Sequence, residues 1–408
     1  MQQVTAEELS SFYKLARHQE GGFFRESYRA RWLQYLAVCG VFVMTAAACG
    51  PAREHEAALA VYGPAAGWLK QTTQTGLLVY KPEKCCNGYT LFTHDPMGEV
   101  LFSPVYLVDM RGEVRHQWVP EIPAIHARLL PDGKLFYNTT GATRLGSMEL
   151  YGLYELDARS NVAWHLAGNI NHDFQVIDND TFLIAEADEM DPVIKIVTRD
   201  NKVLWQWAAV DHIAELEKQA GIKISTASLD WAHNNTAVFL GRNLLEGKGR
   251  RFKAGNIMFS FCNLNTIGII DYPSGKLVWA WGPGVVEKQH APEMLANGNI
   301  LLFDNGHSPS RVVEINPLSK RIVWEYPRGH AGELRSGSLS NAVRLPNGNT
   351  LICYGNPGRL VEVTMDGEVV WDYVSPFGKL SMGSGIYRAY RYSEDYARPL
   401  FSAPGSQI

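Results

Sequence analysis

One short phrase recurs six times in this chain: a strand, a turn, then Val-x-Trp-x-aromatic or a close variant. The copies occupy 114–118, 162–166, 203–207, 277–281, 322–326 and 369–373, and they hold eight of the 11 tryptophans. They follow one another at 41 to 48 residues, with one longer step of 74. Self-similarity at this period marks a propeller or solenoid, in which each unit buries its apolar faces only against its neighbours. The expected fold is all-β: a six-bladed β-propeller of four-stranded antiparallel blades around a central channel.

The copy at 290–326 shows the blade grammar. A short strand at 291–295 meets Asn297-Gly298-Asn299, a hairpin turn because Asn-Gly accepts positive φ. The return strand at 300–303, a loop at 304–310, a third strand at 311–315, a turn at 317–320 and a fourth strand at 321–326 complete the blade. Pro131-Asp132-Gly133 and Pro346-Asn347-Gly348-Asn349 fill the same first turn in other blades. The stretch 386–392 is expected to help close the ring. The 74-residue step holds an insert: helical spacing at 212–221, then a Gly-rich basic stretch at 241–253 with Lys248, Arg250, Arg251 and Lys253. It reads as a solvated loop or as a cationic lid over an anion site.

The chain has 408 residues, 46% hydrophobic and 20% charged, enough for a large core. A net charge of -4 without a long basic run argues against a nucleic-acid partner. Near the amino end, Arg29 and Arg31 precede an apolar run at 32–48 that ends in Ala46-Ala47-Ala48-Cys49-Gly50. A charged start, apolar middle and small-residue site describe an export signal. The cysteine after small residues resembles a bacterial lipoprotein box. The expectation is a periplasmic or cell-envelope protein lipid-anchored at Cys49, with membrane contact only through that anchor. The alternative is a buried or spanning helix, for which 17 residues is marginal. The stretch 5–30 resembles the opening of a small cupin-like family but is too short to close that barrel. The expected organisation is an extension at 1–30, a signal or anchor at 31–49, a linker at 50–80, the propeller at 81–395 and a tail at 396–408. Cys85, Cys86, Cys262 and Cys353 lie in the propeller, and their spacing suggests no structural zinc.

Aligning the blades on the first turn puts His172 and His290 in one register, at the start of the first strand. His126 is shifted by one, His233 opens the strand of the irregular blade, and Ser340 takes the slot after His290. First strands are innermost and run in the same direction, so these side chains are expected to converge at one rim of the channel. Asp304, Asn305, His307, Arg311, Arg359 and the acids Glu186, Asp188, Glu189 and Asp191 are expected at the same rim. A lone rim histidine is more often a satisfied hydrogen-bonding residue; three from three blades point to a functional cluster.

His172-Asp173-Phe174, Asp230-Trp231-Ala232-His233-Asn234-Asn235, Gln289-His290 with Phe303-Asp304-Asn305-Gly306, Ser310-Arg311-Val312-Val313-Glu314, and the closing Gly385-Ile386-Tyr387-Arg388-Ala389-Tyr390 resemble bacterial arylsulfate sulfotransferases, over roughly 88–392. The resemblance implies an exported six-bladed propeller that moves a sulfuryl group from a phenolic sulfate to another phenol through a transiently sulfated channel histidine. That place matches His290. Two further active-site histidines match His172 and His233, and Asn235 matches the His-x-Asn pattern. The chain departs from the family where an active-site arginine is expected on the strand after that pattern: Cys262 stands there, leaving Arg311, Arg250 or Arg251 as substitutes.

Sulfuryl transfer resembles phosphoryl transfer, with a loose transition state whose charge sits on equatorial oxygens. The reading is His290 as nucleophile, His233 as acid/base, and His172 and Asn235 holding sulfate oxygens with help from Arg311. Partners are small aryl sulfates and phenols, and neither metal nor organic cofactor is required. Two other classes compete: a non-catalytic exported propeller acting as a binding or scaffold protein, and a quinoprotein dehydrogenase, whose blade motif Gly275-Lys276-Leu277-Val278-Trp279 resembles. Six blades and the histidine rim disfavour the latter.

Overall fold

The computed structural model describes residues 69–94, 103–139, 148–188, 191–228, 230–328, 334–377 and 385–402. The chain divides into two units, 1–63 and 64–408. The extension, the anchor segment with Cys49, and Glu189 lie outside the described residues.

The second unit is a six-bladed β-propeller. Blade 5 is built of β17 (His290–Met294), β18 (Ile300–Asp304), β19 (Arg311–Asn316) and β20 (Arg321–Tyr326), antiparallel and in sequence order from the axis outward. Blade 2 (β5, His126–Leu129, to β8, Val162–Ala167), blade 3 (β9, Ile170–Val176, to β12, Val203–Ala208) and blade 4 (β13, Asn234–Phe239, to β16, Lys276–Trp281) repeat it.

The ring is closed twice. The last strand, β25 (Ile386–Tyr392), is the innermost strand of blade 1 and pairs with β2 (Tyr89–His94), followed outward by β3 (Val105–Val108) and β4 (Val114–Trp118). At the seam, blade 6 runs from β21 (Asn341–Arg344) to β24 (Val369–Val374), and β1 (Gly76–Tyr80) adds a fifth strand outside β24. That strand lies in the stretch expected to be linker. The helix Glu394–Ser402, expected as part of the tail, buries Ala397 and Leu400 against blades 1 and 2.

Each sheet has two buried faces, so the middle strands read as continuous apolar runs rather than alternating ones. Ile300–Asp304, Thr350–Tyr354 and Ile257–Phe261 are buried throughout. The buried apolar side chains of the described residues fall into six clusters, one at each junction between neighbouring blades.

The recurring tryptophan is the latch of this ring. In five blades its indole Nε1–H donates to a carbonyl in the outer turn of the next blade, and in blade 1, where His116 holds the recurring position, Trp118 two residues on does so. Trp118 donates to Asp157 O (3.1 Å), Trp164 to Arg199 O (3.1 Å) and Trp205 to Pro273 O (3.0 Å). Trp279 donates to Pro317 O (3.2 Å) and Trp324 to Met365 O (2.8 Å); Trp371 closes the circle on Met110 O (2.9 Å). A large apolar ring with one polar handle fills the wedge between diverging sheets and satisfies a turn carbonyl at once.

The insert of blade 4 is not a lid over the histidines. It leaves from the far end of β13, and Leu244 N donates to Ala296 O beside the first turn of blade 5. A Cβ on Gly298 (φ +85) would sit 2.7 Å from Leu245. Arg250 and Arg251 therefore belong to the rim opposite the one where β17 begins. Burial of Leu245 and Phe252 between blades 4 and 5 holds them there.

Candidate active site

His172, His233 and His290 stand at or beside the entry of the innermost strands of blades 3, 4 and 5. Regular pairing fails there. The ladder slips between Ile184 and Glu186 opposite β9, between Asn234 and Thr236 on β13, and between His290 and Glu293 on β17. His172 (φ +62), His233 (φ +52) and Ala291 (φ +50) adopt left-handed backbone. For a non-glycine residue this costs about 1 kcal/mol or more, and such strain and bulges cluster where a side chain must be re-aimed. The result is convergence: the His172 and His233 rings lie 4.6 Å apart, centroid to centroid.

His290 is 5% exposed, and burial lowers its pKa to about 3. The charges of His233 and Arg388 push the same way, against the hydrogen bond the ring donates to Asn305. Its Nδ1 lies 2.8 Å from Asn305 Oδ1 and 2.9 Å from Lys288 O, both acceptors. The ring therefore carries its proton on Nδ1 and presents an Nε2 lone pair. The orientation of Asn305 is itself fixed, because its Nδ2 donates to Ser336 O (2.8 Å) and Leu339 O (3.1 Å). The carbonyl end then faces the imidazole.

His233 Nδ1 hydrogen-bonds to Asp230 Oδ2 three residues earlier; both side chains keep about a quarter of their exposure (27% and 23%). His172 Nδ1 lies 2.7 Å from the Tyr387 hydroxyl. Burial, with the charges of His233 and His290, holds the His172 pKa well below the usual histidine value.

Tyr387 and its neighbour Arg388 come from the closing strand. Ile386 pairs with His94 and Ala389 with Phe92, so Tyr387 and Arg388 together oppose the single residue Thr93. The bulge explains how two consecutive side chains both reach blade 3 across the ring. Arg388 Nη1 donates to Asp173 Oδ1 (2.9 Å), and Nη2 donates to Asn235 O (2.6 Å). Burial, the largest single influence, works against its charge, but Asp173 together with Tyr390 and Tyr387 outweighs it and the guanidinium pKa is raised.

The other expected residues fall as follows. Asn235 is fully buried, with Nδ2 donating to Gln289 O (2.8 Å) and Oδ1 accepting from Thr236 Oγ1 (3.1 Å). It ties the His233 segment to the His290 segment. Arg311 donates to Asp304 Oδ2 (2.9 Å), Glu325 Oε2 (3.3 Å) and Val285 O (2.8 Å), within blade 5 and its approach loop. Arg359 repeats the pattern on Asp372 in blade 6. This slot is a repeated structural ion pair, and the cation whose charge is felt at His172 and His290 is Arg388. Cys262 is 6% exposed, and burial pushes its thiol up to about 11. His126 is buried beside Asp173, with Nε2 3.0 Å from the Tyr390 hydroxyl. Glu186 pairs with Lys195, and Asp191 accepts from Trp231. Among the described residues no group of three or more His, Cys, Asp and Glu side chains is arranged to hold a metal ion.

Asp230 and Arg388 were both within the motifs read from sequence, yet neither was assigned a role there. The signal for Asp230 was its i, i+3 spacing to His233. For Arg388 the only signal was its place in the closing motif.

Residues 186–376 match the arylsulfotransferase (ASST) family. The span contains His233, Asn235, His290 and Arg311 and leaves His172 and Arg388 outside. No curated protein matches the chain. Among solved structures, a protein of unknown function from Bacteroides caccae is 16% identical with a TM-score of 0.47, covering 74% of this chain and 98% of that one. Virginiamycin B lyase from Staphylococcus aureus is 10% identical with a TM-score of 0.41, covering 74% of this chain and 89% of that one.

Proposed function

We propose that this chain, whose residues 186–376 match the arylsulfotransferase family, moves a sulfuryl group from a phenolic sulfate ester to a phenolic acceptor through a sulfohistidine on His290. The observation that carries the reading is the fixed tautomer of His290: Nδ1–H held by Asn305 Oδ1 and Lys288 O, Nε2 unprotonated.

In the first step the Nε2 lone pair attacks sulfur and the bond from sulfur to the aryl oxygen breaks, leaving its electron pair on the phenolate. His233, oriented by Asp230, gives that oxygen a proton. In the second step an acceptor phenol attacks sulfur, His233 takes its proton back, and the N–S bond breaks to restore neutral His290. Splitting the transfer this way makes each half a displacement by a good nucleophile, with one group serving as acid and then base. Charge on the sulfuryl oxygens needs fixed positive partners. In this reading His172, whose ring neighbours that of His233, holds one of those oxygens. Export and a lipid anchor at Cys49 belong to the same proposal, and rest on the apolar run and its cysteine.

The test is transfer from an artificial aryl sulfate to phenol, with wild type and His290→Ala compared. The expected result is turnover only in wild type, together with a mass gain of one SO3 on the His290 peptide when donor is supplied without acceptor. Equal turnover in both proteins would remove His290 as the nucleophile. No turnover in either, with every donor tried, would favour a binding protein.

A further inference from the structure

We infer that Arg388 is the positioning cation of the transfer site: its hydrogen bonds to Asp173 and Asn235 hold the His172 and His233 segments at a fixed separation and lay a permanent positive charge just past the histidines along the axis. The inference rests on the sulfuryl-transfer reading for its chemistry, but its geometry stands apart from that reading.

Three observations converge on this residue. The bulge opposite Thr93 is what turns Arg388 toward blades 3 and 4. Its two donors end on Asp173, one residue past His172, and on the carbonyl of Asn235, two residues past His233. One guanidinium from blade 1 thus spans the entries of two other blades, and its immediate neighbour Tyr387 meets the His172 ring at 2.7 Å. The side chain is 3% exposed. A planar fork with fixed donors suits this bridging task, where lysine offers a point charge without that fixed geometry.

The charge has a chemical use. Burial is the main reason that both rings resist protonation, and a cation fixed near His172 and His290 pushes the same way. The nucleophile then stays uncharged at neutral pH, and the ion pair with Asp173 keeps the guanidinium charged in a buried position without relying on a protonated histidine. Arg388 acts through the histidines and is not assigned to touch the substrate.

The test uses the full chain with Arg388→Gln and Arg388→Lys. Histidine ring titrations by NMR, without substrate, are compared with kcat and KM for an aryl sulfate donor. Arg388→Gln is expected to raise the titration points of His172 and His290 by about one pH unit and to lower kcat/KM about 100-fold. A folded Arg388→Gln protein with unmoved titrations would overturn the inference. Shifted titrations in a system where even wild type transfers nothing would uphold the placement of the charge and overturn the transfer reading instead. Should the Gln variant fail to fold, Arg388→Lys decides. It is expected to hold the titrations near wild type and to lose about tenfold in kcat/KM, and wild-type kcat/KM in it would overturn the inference.

Discussion

Asn305 Oδ1 lies 2.8 Å from His290 Nδ1, and the amide nitrogen of the same Asn305 is anchored on Ser336 O and Leu339 O in the loop leading to blade 6. The imidazole cannot choose its tautomer freely, because an amide held at one end presents only its oxygen at the other. Asn305→Ala is expected to lower kcat by about 10- to 100-fold, the range seen when a metal-bound histidine loses its orienting partner, with a smaller change in KM. Nitrogen chemical shifts of wild-type His290 at neutral pH are the direct check: Nε2 is expected to be the unprotonated nitrogen. A proton found on Nε2 would remove the basis for nucleophilic attack.

A pH dependence of stability follows from the same ring. His290 has a folded pKa of about 3 against an ordinary value of 6.5. Between those values the unfolded chain binds a proton that the native ring refuses. Stability is then fully present above pH 6.5 and is lost as pH falls toward 3. The slope is up to about 1.4 kcal/mol per pH unit for one such group. His290→Asn removes the titration, so its stability difference from wild type should shift in favour of the variant as pH falls from 7 to 4.5. Chemical denaturation at several pH values measures this; parallel curves would contradict it.

The tryptophan latches should differ in strength according to burial. Trp371 is fully buried and donates to Met110 O, whereas Trp205 is partly exposed and donates to Pro273 O. Replacing either by Phe removes the indole N–H. At Trp371 the carbonyl is stranded away from water, so Trp371→Phe should cost about 1–3 kcal/mol, and Trp205→Phe no more than about 1 kcal/mol. Denaturant unfolding gives the comparison, and equal losses at the two sites would refute it.

What was legible in the sequence was whatever the repeat carries locally. Val-x-Trp recurs because each outer strand must place an indole against the next blade's turn, a demand met from the same position in five blades and from two residues further on, by Trp118, in blade 1. The histidine rim was legible for a related reason, since His172 and His290 hold equal offsets from their first turns. Arg388 was not, because its partners Asp173 and Asn235 lie 215 and 153 residues away. Simple strand alternation would also send Tyr387 and Arg388 to opposite faces, and only the bulge opposite Thr93 brings them together. The strand Gly76–Tyr80 was hidden because it belongs to no repeat: it adds to a blade already complete in four strands. Arg311 shows the converse hazard. A residue repeated in register as Arg359 serves the fold, pairing with Glu325 on the outer strand as Arg359 pairs with Asp372.

The pair of Asp230 and His233 gives the transfer reading its sharpest kinetic signature. Asp230 accepts from His233 Nδ1 and so keeps the other ring nitrogen available for proton exchange. A general acid matters most when the departing phenolate is basic, because a weakly basic one leaves without help. Asp230→Asn keeps the shape but not the negative partner. It should therefore act weakly on a nitrophenyl sulfate and by about 10²-fold or more on the sulfate of an unsubstituted phenol. The measurement is kcat/KM across a series of substituted phenyl sulfates, in wild type and in the variant, with phenol as acceptor. The variant's line against leaving-group pKa should be the steeper one. His233→Ala should steepen it further while leaving the fastest donor within about tenfold of wild type. Parallel lines would mean that His233 holds the sulfuryl group rather than moving its proton, and the acid/base role would pass to another residue.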